Sequence, residues 1–479
     1  MNDMILILNY SDEFAMEAAR RLRAEQVYSV IVSGMTTAEQ VRKMAPRGIV
    51  MAGERAGGSG VFDAGMLALG IPVLALGHAA HMMLAAQGGA SAGVALREKK
   101  VAISYGDSEL FAGLSGERYI EEALMLMLPP DVQMSASAAG CTIAFEIPKK
   151  KQYGVQFELE RNDPDGTAML KNFALNICGC EAWWSIQAAM REAERVIGEA
   201  AEKGGRAVCA VSGGVDSTVV AVLAKRAYGE RMTAVFVDTG LMREGEADGV
   251  AEMYESLQIP LLRVDRSGIV LDALANKRSM QEKHEIVNRC LHEEMANQSA
   301  AMPDATTLIL GGNYTDSLHA DRRAEAESAS GMTVLQPLST LFKSEVRAIA
   351  RELGLGEAIS ERKSFPALGL GTRVIGEVTR ERLLALRTAD TIFAEEIGAA
   401  GLERKLYKYF PIITGGFPSA GDEIVVLRAV TPSGGMLLPA RLPHDLLERT
   451  TKRIMESVPQ IQRVLYDQTP TPVGKETFA

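Results

Sequence analysis

The sequence predicts an α/β protein made of two α/β domains followed by a small α+β domain. Three observations carry that prediction. Between Met4 and about Cys180, short apolar runs alternate with helical patterns, as in a largely parallel sheet covered by helices. A second alternating series begins at the apolar run Ala207–Val211. Past about Glu361, strands and helices mix without regular alternation, which favours an α+β arrangement. At 479 residues the chain has room for about three domains, each able to bury its own core.

In the first series the runs are Ile5–Leu8, Ser29–Val32, Gly48–Met51, Met66–Leu69 and Pro72–Leu76, with a helical pattern at Phe14–Leu22. The segments Gln133–Ala138, Thr142–Ile147 and Tyr153–Phe157 read as antiparallel strands appended to that sheet. A helix from Trp183 to Glu202, capped at Lys203-Gly-Gly205, joins this domain to the next. The second series has strands at Ala207–Val211, Thr233–Val237, Leu261–Val264 and Thr307–Leu310. The third part has a glycine-rich stretch at Phe365–Gly371, helices at Arg380–Glu395 and Pro443–Glu456, and strands at Glu423–Ala429 and Gln462–Tyr466. The expected boundaries are 1–185, 186–361 and 362–479.

Charged residues at 23% and apolar residues at 47% give the balance of a soluble globular protein. A net charge of −10 counts against a nucleic-acid-binding surface. Five cysteines do not form a disulfide framework and suit a reducing cytoplasm. The N-terminal apolar run is too short for a signal peptide, and no stretch is long enough to span a membrane, so no membrane partner is expected.

The chemistry is concentrated in Ser212-Gly-Gly-Val-Asp-Ser217, which must turn the chain between a strand and the helical run Thr218–Lys225. A helix start preceded by Ser212, Gly213 and Gly214 presents unpaired N–H groups, two hydroxyls (Ser212, Ser217) and a positive dipole end, which together suit a phosphate-like anion. Asp216 beside bound phosphates makes sense if it holds a Mg²⁺ that bridges them. A lone Gly-Gly would be explained as well by an ordinary turn, but the hexapeptide is more specific. No Gly-Lys-Ser/Thr follows, so it is not the Walker pattern.

The hexapeptide resembles the signature of the ATP-pyrophosphatase (PP-loop) family, which cleaves ATP between the α and β phosphates. With Thr233–Arg243, Pro337–Arg347, Phe365–Glu377 and Arg463–Asp467, and with Asn172–Cys180 upstream, the chain resembles glutamine-hydrolysing GMP synthases over nearly its whole length. The resemblance implies a class I amidotransferase-like domain, a PP-loop (adenine nucleotide alpha hydrolase-like) domain and a C-terminal dimerisation domain that makes a homodimer. It implies ATP and Mg²⁺ as cofactors, with adenylation of O2 of xanthosine monophosphate and displacement of AMP by ammonia. On that resemblance Ser212, Gly213, Gly214, Val215, Asp216 and Ser217 hold the pyrophosphate end, with Asp216 a Mg²⁺ ligand. Val237, Asp238 and Gly240 border the adenosine, Lys343 faces the leaving pyrophosphate and Arg463 contacts the acceptor's phosphate. Read without the resemblance, Lys343 is equally a solvated lysine in a first helical turn.

The chain departs from the family at two places. At the amidotransferase positions Gly77 stands for the cysteine nucleophile and Glu158 for the histidine base, and only Glu160 of the triad remains. No cysteine occurs before Cys141 and no histidine lies between His81 and His284. Glu54, in Ala52-Gly-Glu-Arg55, would repel a developing oxyanion, and the apolar Leu124–Leu128 replaces a Ser-His-Gly-Asp loop. The domain is therefore expected not to hydrolyse glutamine. His78 and His81, three residues apart, and the Cys178-Gly-Cys180 pair read as packed side chains rather than metal or redox sites.

On the acceptor side the family's lid motif is missing between Thr315 and Pro337, and Thr471 and Thr477 replace two charged residues that contact the nucleotide, with Lys475 able to compensate from a shifted register. Each lost charged contact weakens binding by about 1.5–3 kcal/mol. The sequence thus supports an ATP-pyrophosphatase that adenylates a carbonyl-type oxygen of a small acceptor, purine-nucleotide-like or other. Its nucleophile would be free ammonia, an amine, or ammonia or sulfur from a separate donor protein. Two alternatives stand beside it: an ammonia-dependent GMP synthase, and a non-catalytic nucleotide-binding regulatory paralogue.

Overall fold

The structure, a computed structural model, describes residues 3–53, 62–157, 159, 164–317, 326–328, 330–362, 368–415, 422–433 and 436–472. The chain divides into two compact units, Met1–Ala189 and Met190–Ala479.

The first unit is built on a nine-stranded sheet. Five strands lie parallel: β1 (Ile5–Asn9), β2 (Ser29–Ser33), β3 (Gly48–Ala52), β4 (Val73–Leu76) and, later in the chain, β9 (Gln152–Val155). Between β4 and β9 come β5 (Ala90–Tyr105), β6 (Glu117–Met127), β7 (Gln133–Ala138) and β8 (Cys141–Ile147), which pair antiparallel. The order across the sheet is β2-β1-β3-β4-β9-β8-β7-β5-β6, so the antiparallel strands are appended on the β9 side. Ile5 to Leu8 are fully buried, as a strand covered on both faces requires. The helix Asp12–Ala24 closes on β1 through Ala15, Ala18, Ala19 and Leu22. The 16-residue strand β5 has no counterpart in the sequence reading, because Arg97 and Lys100 break its apolar pattern. Their charges are matched across the ladder, where Arg97 faces Glu122 at 2.5 Å and Lys100 reaches Glu117 at 3.5 Å.

The joining helix spans Ile186–Glu202 and so starts three residues later than expected. Ser185 Oγ accepts the Ala188 N–H at 3.1 Å and occupies the cap position there. The second unit holds two sheets. The first has five parallel strands in the order β12-β11-β10-β13-β14: β10 (Arg206–Val211), β11 (Met232–Asp238), β12 (Leu261–Asp265), β13 (Ala305–Leu310) and β14 (Thr333–Leu335). The second sheet contains β15 (Lys408–Gly415), β16 (Glu423–Ser433), β17 (Met436–Pro439), β18 (Ile461–Tyr466) and β19 (Thr471–Pro472), with β18 parallel to β16.

The sequence hid β15 because it contains Pro411, which cannot donate to a ladder. Among the described residues β15 pairs along its length with β16 alone and meets only an isolated bridge, Val374 to Ile413, on its other side, so the proline interrupts no continuous ladder there. A core joins the second sheet to elements that follow strands of the first: Leu241, after β11, and Val270 and Leu274, on the helix Ser267–Leu274, pack with Leu386 and Phe393 of the helix Arg380–Ala399 and with Val425 of β16.

Candidate active site

β10 is the central strand of its sheet, and its C-terminal end delivers the chain into the turn Ser212–Gly214 and the helix Val215–Tyr228. Gly213 sits at φ +76°, and a Cβ there would lie 2.4 Å from Val250 Cγ2. That position therefore needs glycine twice over, for its backbone and for its contact. The hydroxyls organise the turn itself. The Ser212 N–H donates to Ser217 Oγ at 3.2 Å, while the Ser217 and Thr218 hydroxyls donate to the Gly214 carbonyl at 3.0 and 2.9 Å. Ser217, only 6% exposed, thus makes its hydrogen bonds inside the loop. The first-turn amides of the helix have no acceptor within it.

Asp216 is the first-turn carboxylate of that helix, and three groups from later in the chain converge on it. Lys343, at the start of the helix Lys343–Glu352, forms an ion pair with Oδ2, and Asn313 Nδ2 donates to the same oxygen at 3.4 Å. The third is Asp316, which accepts the Asn313 N–H at 3.1 Å and whose charge raises the Asp216 pKa. Burial is the largest influence and pushes the Asp216 carboxyl up, against the opposing pull of the Lys343 ammonium. Asp216 Oδ1 is buried and has no hydrogen-bond partner among the described residues. A buried carboxylate oxygen without a donor fits a cation. Among the described residues no group of three or more His, Cys, Asp or Glu is arranged around a metal site. Mg²⁺ is commonly held by one or two carboxylates plus substrate phosphates.

Sequence reasoning missed two members of this site. Asn313 is one; the other is Gly311, at the end of β13, where a Cβ would lie 2.6 Å from both N and Cα of Ser217. The available signal was a Gly-Gly pair immediately after a buried strand, the same signature as in the Ser212 turn. Gly311→Ala is expected to lower the unfolding free energy by about 1–3 kcal/mol, because the obstructing atoms are backbone and cannot move aside. A urea midpoint unchanged from the parent would show that the turn yields.

The other positions expected to border a nucleotide are divided. Val237 is 9% exposed and packs in a core with Met295 and Leu308. The Asp238 carboxylate takes the Gly240 N–H at 3.0 Å on Oδ1 and Arg263 at 2.9 Å on Oδ2. Asp238 and Gly240 line a cleft of about 350 Å³ with Arg243, Asp248, Ser267 and Arg387, and residues 212–217 do not line it. Arg463 lies exposed on β18. Thr471 turns inward and accepts a hydrogen bond at 2.8 Å from Arg428, which is 2% exposed and paired with Asp467. Thr477 and Lys475 lie outside the described residues.

In the first unit, Gly77 forms the turn between β4 and the helix His78–Ala86, at φ +58° and ψ −128°. A Cβ there would be 2.8 Å from the Gly53 carbonyl. Glu54, Glu158 and Glu160 lie outside the described residues. Leu124 belongs to β6, with its N–H and C=O both held by the Gln156 side chain at 2.8 and 3.1 Å. The His78 and His81 rings lie 5.9 Å apart, and burial pushes His81 down to about 4, so it is neutral at neutral pH. Burial pushes the Cys178 and Cys180 thiols up, Cys180 to about 12, which keeps both protonated and unreactive. A Cβ at Gly48 would meet Cys178 Sγ at 2.4 Å, so that thiol is packed against β3.

Comparison with known proteins places these features in a family context. Residues 190–373 match the model of the NAD synthase family, and residues 395–476 match that of the GMP synthase C-terminal domain. The chain is 34% identical to a glutamine-hydrolysing GMP synthase of Geobacillus kaustophilus, over 98% of each chain. It is 33% identical to those of Bacillus pumilus, over 98% of each chain, and Enterococcus faecalis, over 98% of this chain and 97% of the relative.

Proposed function

The chain belongs to the glutamine-hydrolysing GMP synthase family, and from that premise we propose that it is an ATP-pyrophosphatase that adenylates a carbonyl-type oxygen of a small acceptor and then admits ammonia or another nucleophile. In this reading it is an AMP- and pyrophosphate-forming ligase of the C–N type without its own glutaminase. Residues 1–185, 186–361 and 362–479 would be the amidotransferase-like, ATP-pyrophosphatase and dimerisation parts, and the last would pair two copies of the chain.

The observation that carries the reading is the Asp216 carboxylate, with one oxygen tied to Lys343 and Asn313 and the other buried without a donor. Amides at the start of the helix Val215–Tyr228 would hold the β and γ phosphates. Asp216 Oδ1 would hold Mg²⁺, which when bound neutralises charge on the departing pyrophosphate. Lys343 carries a second positive charge to the same place. The acceptor oxygen attacks the α-phosphorus, the bond to the bridging oxygen of the β-phosphate breaks, and pyrophosphate leaves with the electron pair. The nucleophile then replaces the adenylated oxygen, and AMP is released.

The whole-length similarity to GMP synthases favours xanthosine monophosphate as the first acceptor to test. Against it stands Thr471, whose hydroxyl is engaged by Arg428 where the family resemblance leads one to expect a lysine on the substrate. Pyrophosphate release from Mg-ATP with ammonium, screened over oxo-purine nucleotides, nucleosides and smaller carbonyl acceptors, tests the proposal. Release only with an acceptor other than xanthosine monophosphate is the expected result. Release dependent on xanthosine monophosphate would make the chain an ammonia-dependent GMP synthase, and no release with any acceptor would leave it a nucleotide-binding paralogue.

A further inference from the structure

β11 ends at Asp238, and the next helix begins at Glu246, so residues 239–245 have no ladder or helix of their own to fix them. Their shape is set from elsewhere. Three successive carbonyls accept hydrogen bonds from the C-terminal third of the chain. Gly240 O takes Arg387 Nη2 at 2.5 Å, Leu241 O takes the Leu370 N–H at 2.7 Å, and Met242 O takes Arg387 Nε at 2.9 Å. The fourth residue, Arg243, is bound to Asp390 at 2.9 Å, one helical turn beyond Arg387 on the helix Arg380–Ala399. Asp390 is buried and also holds Arg373 at 2.7 Å, so its position is itself fixed.

The contacts are close as well as numerous. Gly369 sits at φ +56°, and a Cβ there would lie 2.2 Å from Leu241 O; Gly240, at φ +72°, would meet Ser267 Cβ at 2.6 Å. Leu241 itself is fully buried in the core that reaches the second sheet. The turn after β11 can therefore move only if the helix Arg380–Ala399 moves with it.

We propose that Arg387 is a positioning residue for the nucleotide, holding the Gly240–Met242 turn so that the end of β11 is shaped to receive adenosine. The inference rests on the reading that Val237, Asp238 and Gly240 border that group. The guanidinium suits the task because Nε and one Nη lie along one edge of a rigid plane and can serve two carbonyls at once, which a lysine ammonium on a flexible stem cannot. Arg387 touches neither phosphate nor metal in this scheme, so its effect should fall on the adenosine end alone.

The full-length protein provides the test through the binding of two ligands, Mg-ATP and Mg-pyrophosphate, to the parent and to Arg387→Lys and Arg387→Gln. Pyrophosphate engages only the Ser212–Ser217 end, whereas ATP needs both. The expected result is an ATP affinity weakened roughly 10-fold or more, with pyrophosphate affinity unchanged within about two-fold. Arg387→Gln, with its planar amide, should recover part of the loss relative to lysine. Equal ATP affinity in the parent and both variants would overturn the role of Arg387 and leave the nucleotide reading standing. Parallel loss of both ligands would reduce Arg387 to general structural support and overturn the proposal. A parent that binds pyrophosphate but not ATP would remove the adenosine assignment on which the proposal rests.

Discussion

Replacing Asp216 by alanine is expected to cut ATP-dependent pyrophosphate release by about a thousand-fold or more, roughly 4 kcal/mol of lost transition-state stabilisation. The variant loses the carboxylate that would hold the metal and leaves Lys343 without its partner. Asp216→Asn is the sharper experiment, since it keeps the volume and removes the charge. Because burial raises the Asp216 pKa in the folded chain, the associated stability is complete at low pH and is lost as the pH rises through the folded value. A neutral asparagine is spared that loss, so it should abolish activity without lowering the urea midpoint at the high-pH end of the curve. Full activity in either variant would remove Asp216 from the mechanism. Lost activity accompanied by a large drop in the midpoint would point to folding instead.

Glutamine as sole nitrogen source is expected to support no turnover, while ammonium does. If Gly77 stands at the nucleophile position, as the sequence resemblance implies, no thiol is there to attack the amide, and in hydrolases that use a positioned nucleophile its removal costs about a million-fold. Gly77→Cys alone should not repair the defect. The introduced Cβ would press on the Gly53 carbonyl at 2.8 Å, and Glu158 at the base position cannot take a thiol proton as histidine does. Glutamate formed in step with AMP by the unmodified chain would overturn this expectation.

The legible parts of the molecule are those where one side chain or one short pattern decides the outcome. The strand Ala207–Val211 and its turn were readable because a doubly buried strand is continuously apolar and Gly213 has a backbone that other residues resist. Lys343 was reachable only through resemblance, since nothing in a first-turn lysine announces a carboxylate 127 residues away. Asn313, Gly311 and Arg387 escaped for a related reason: their partners are backbone atoms or distant side chains, and those leave no local signature. β5 and β15 were lost to charge and to proline, each tolerable because of its surroundings, Glu122 across the ladder in one case and a side with no continuous ladder in the other.

The core in which Leu241, Val270 and Leu274 meet Leu386, Phe393 and Val425 also bears on how such a chain can diverge. A C-terminal portion with its own sealed interior could be exchanged whole for another that recognises a different acceptor. Here an exchange would uncover Leu241 and the apolar face of the helix Ser267–Leu274. Substitution in place, residue by residue, would leave that core whole. Thr471, held by Arg428 at 2.8 Å, is a position where such a substitution would act without touching it.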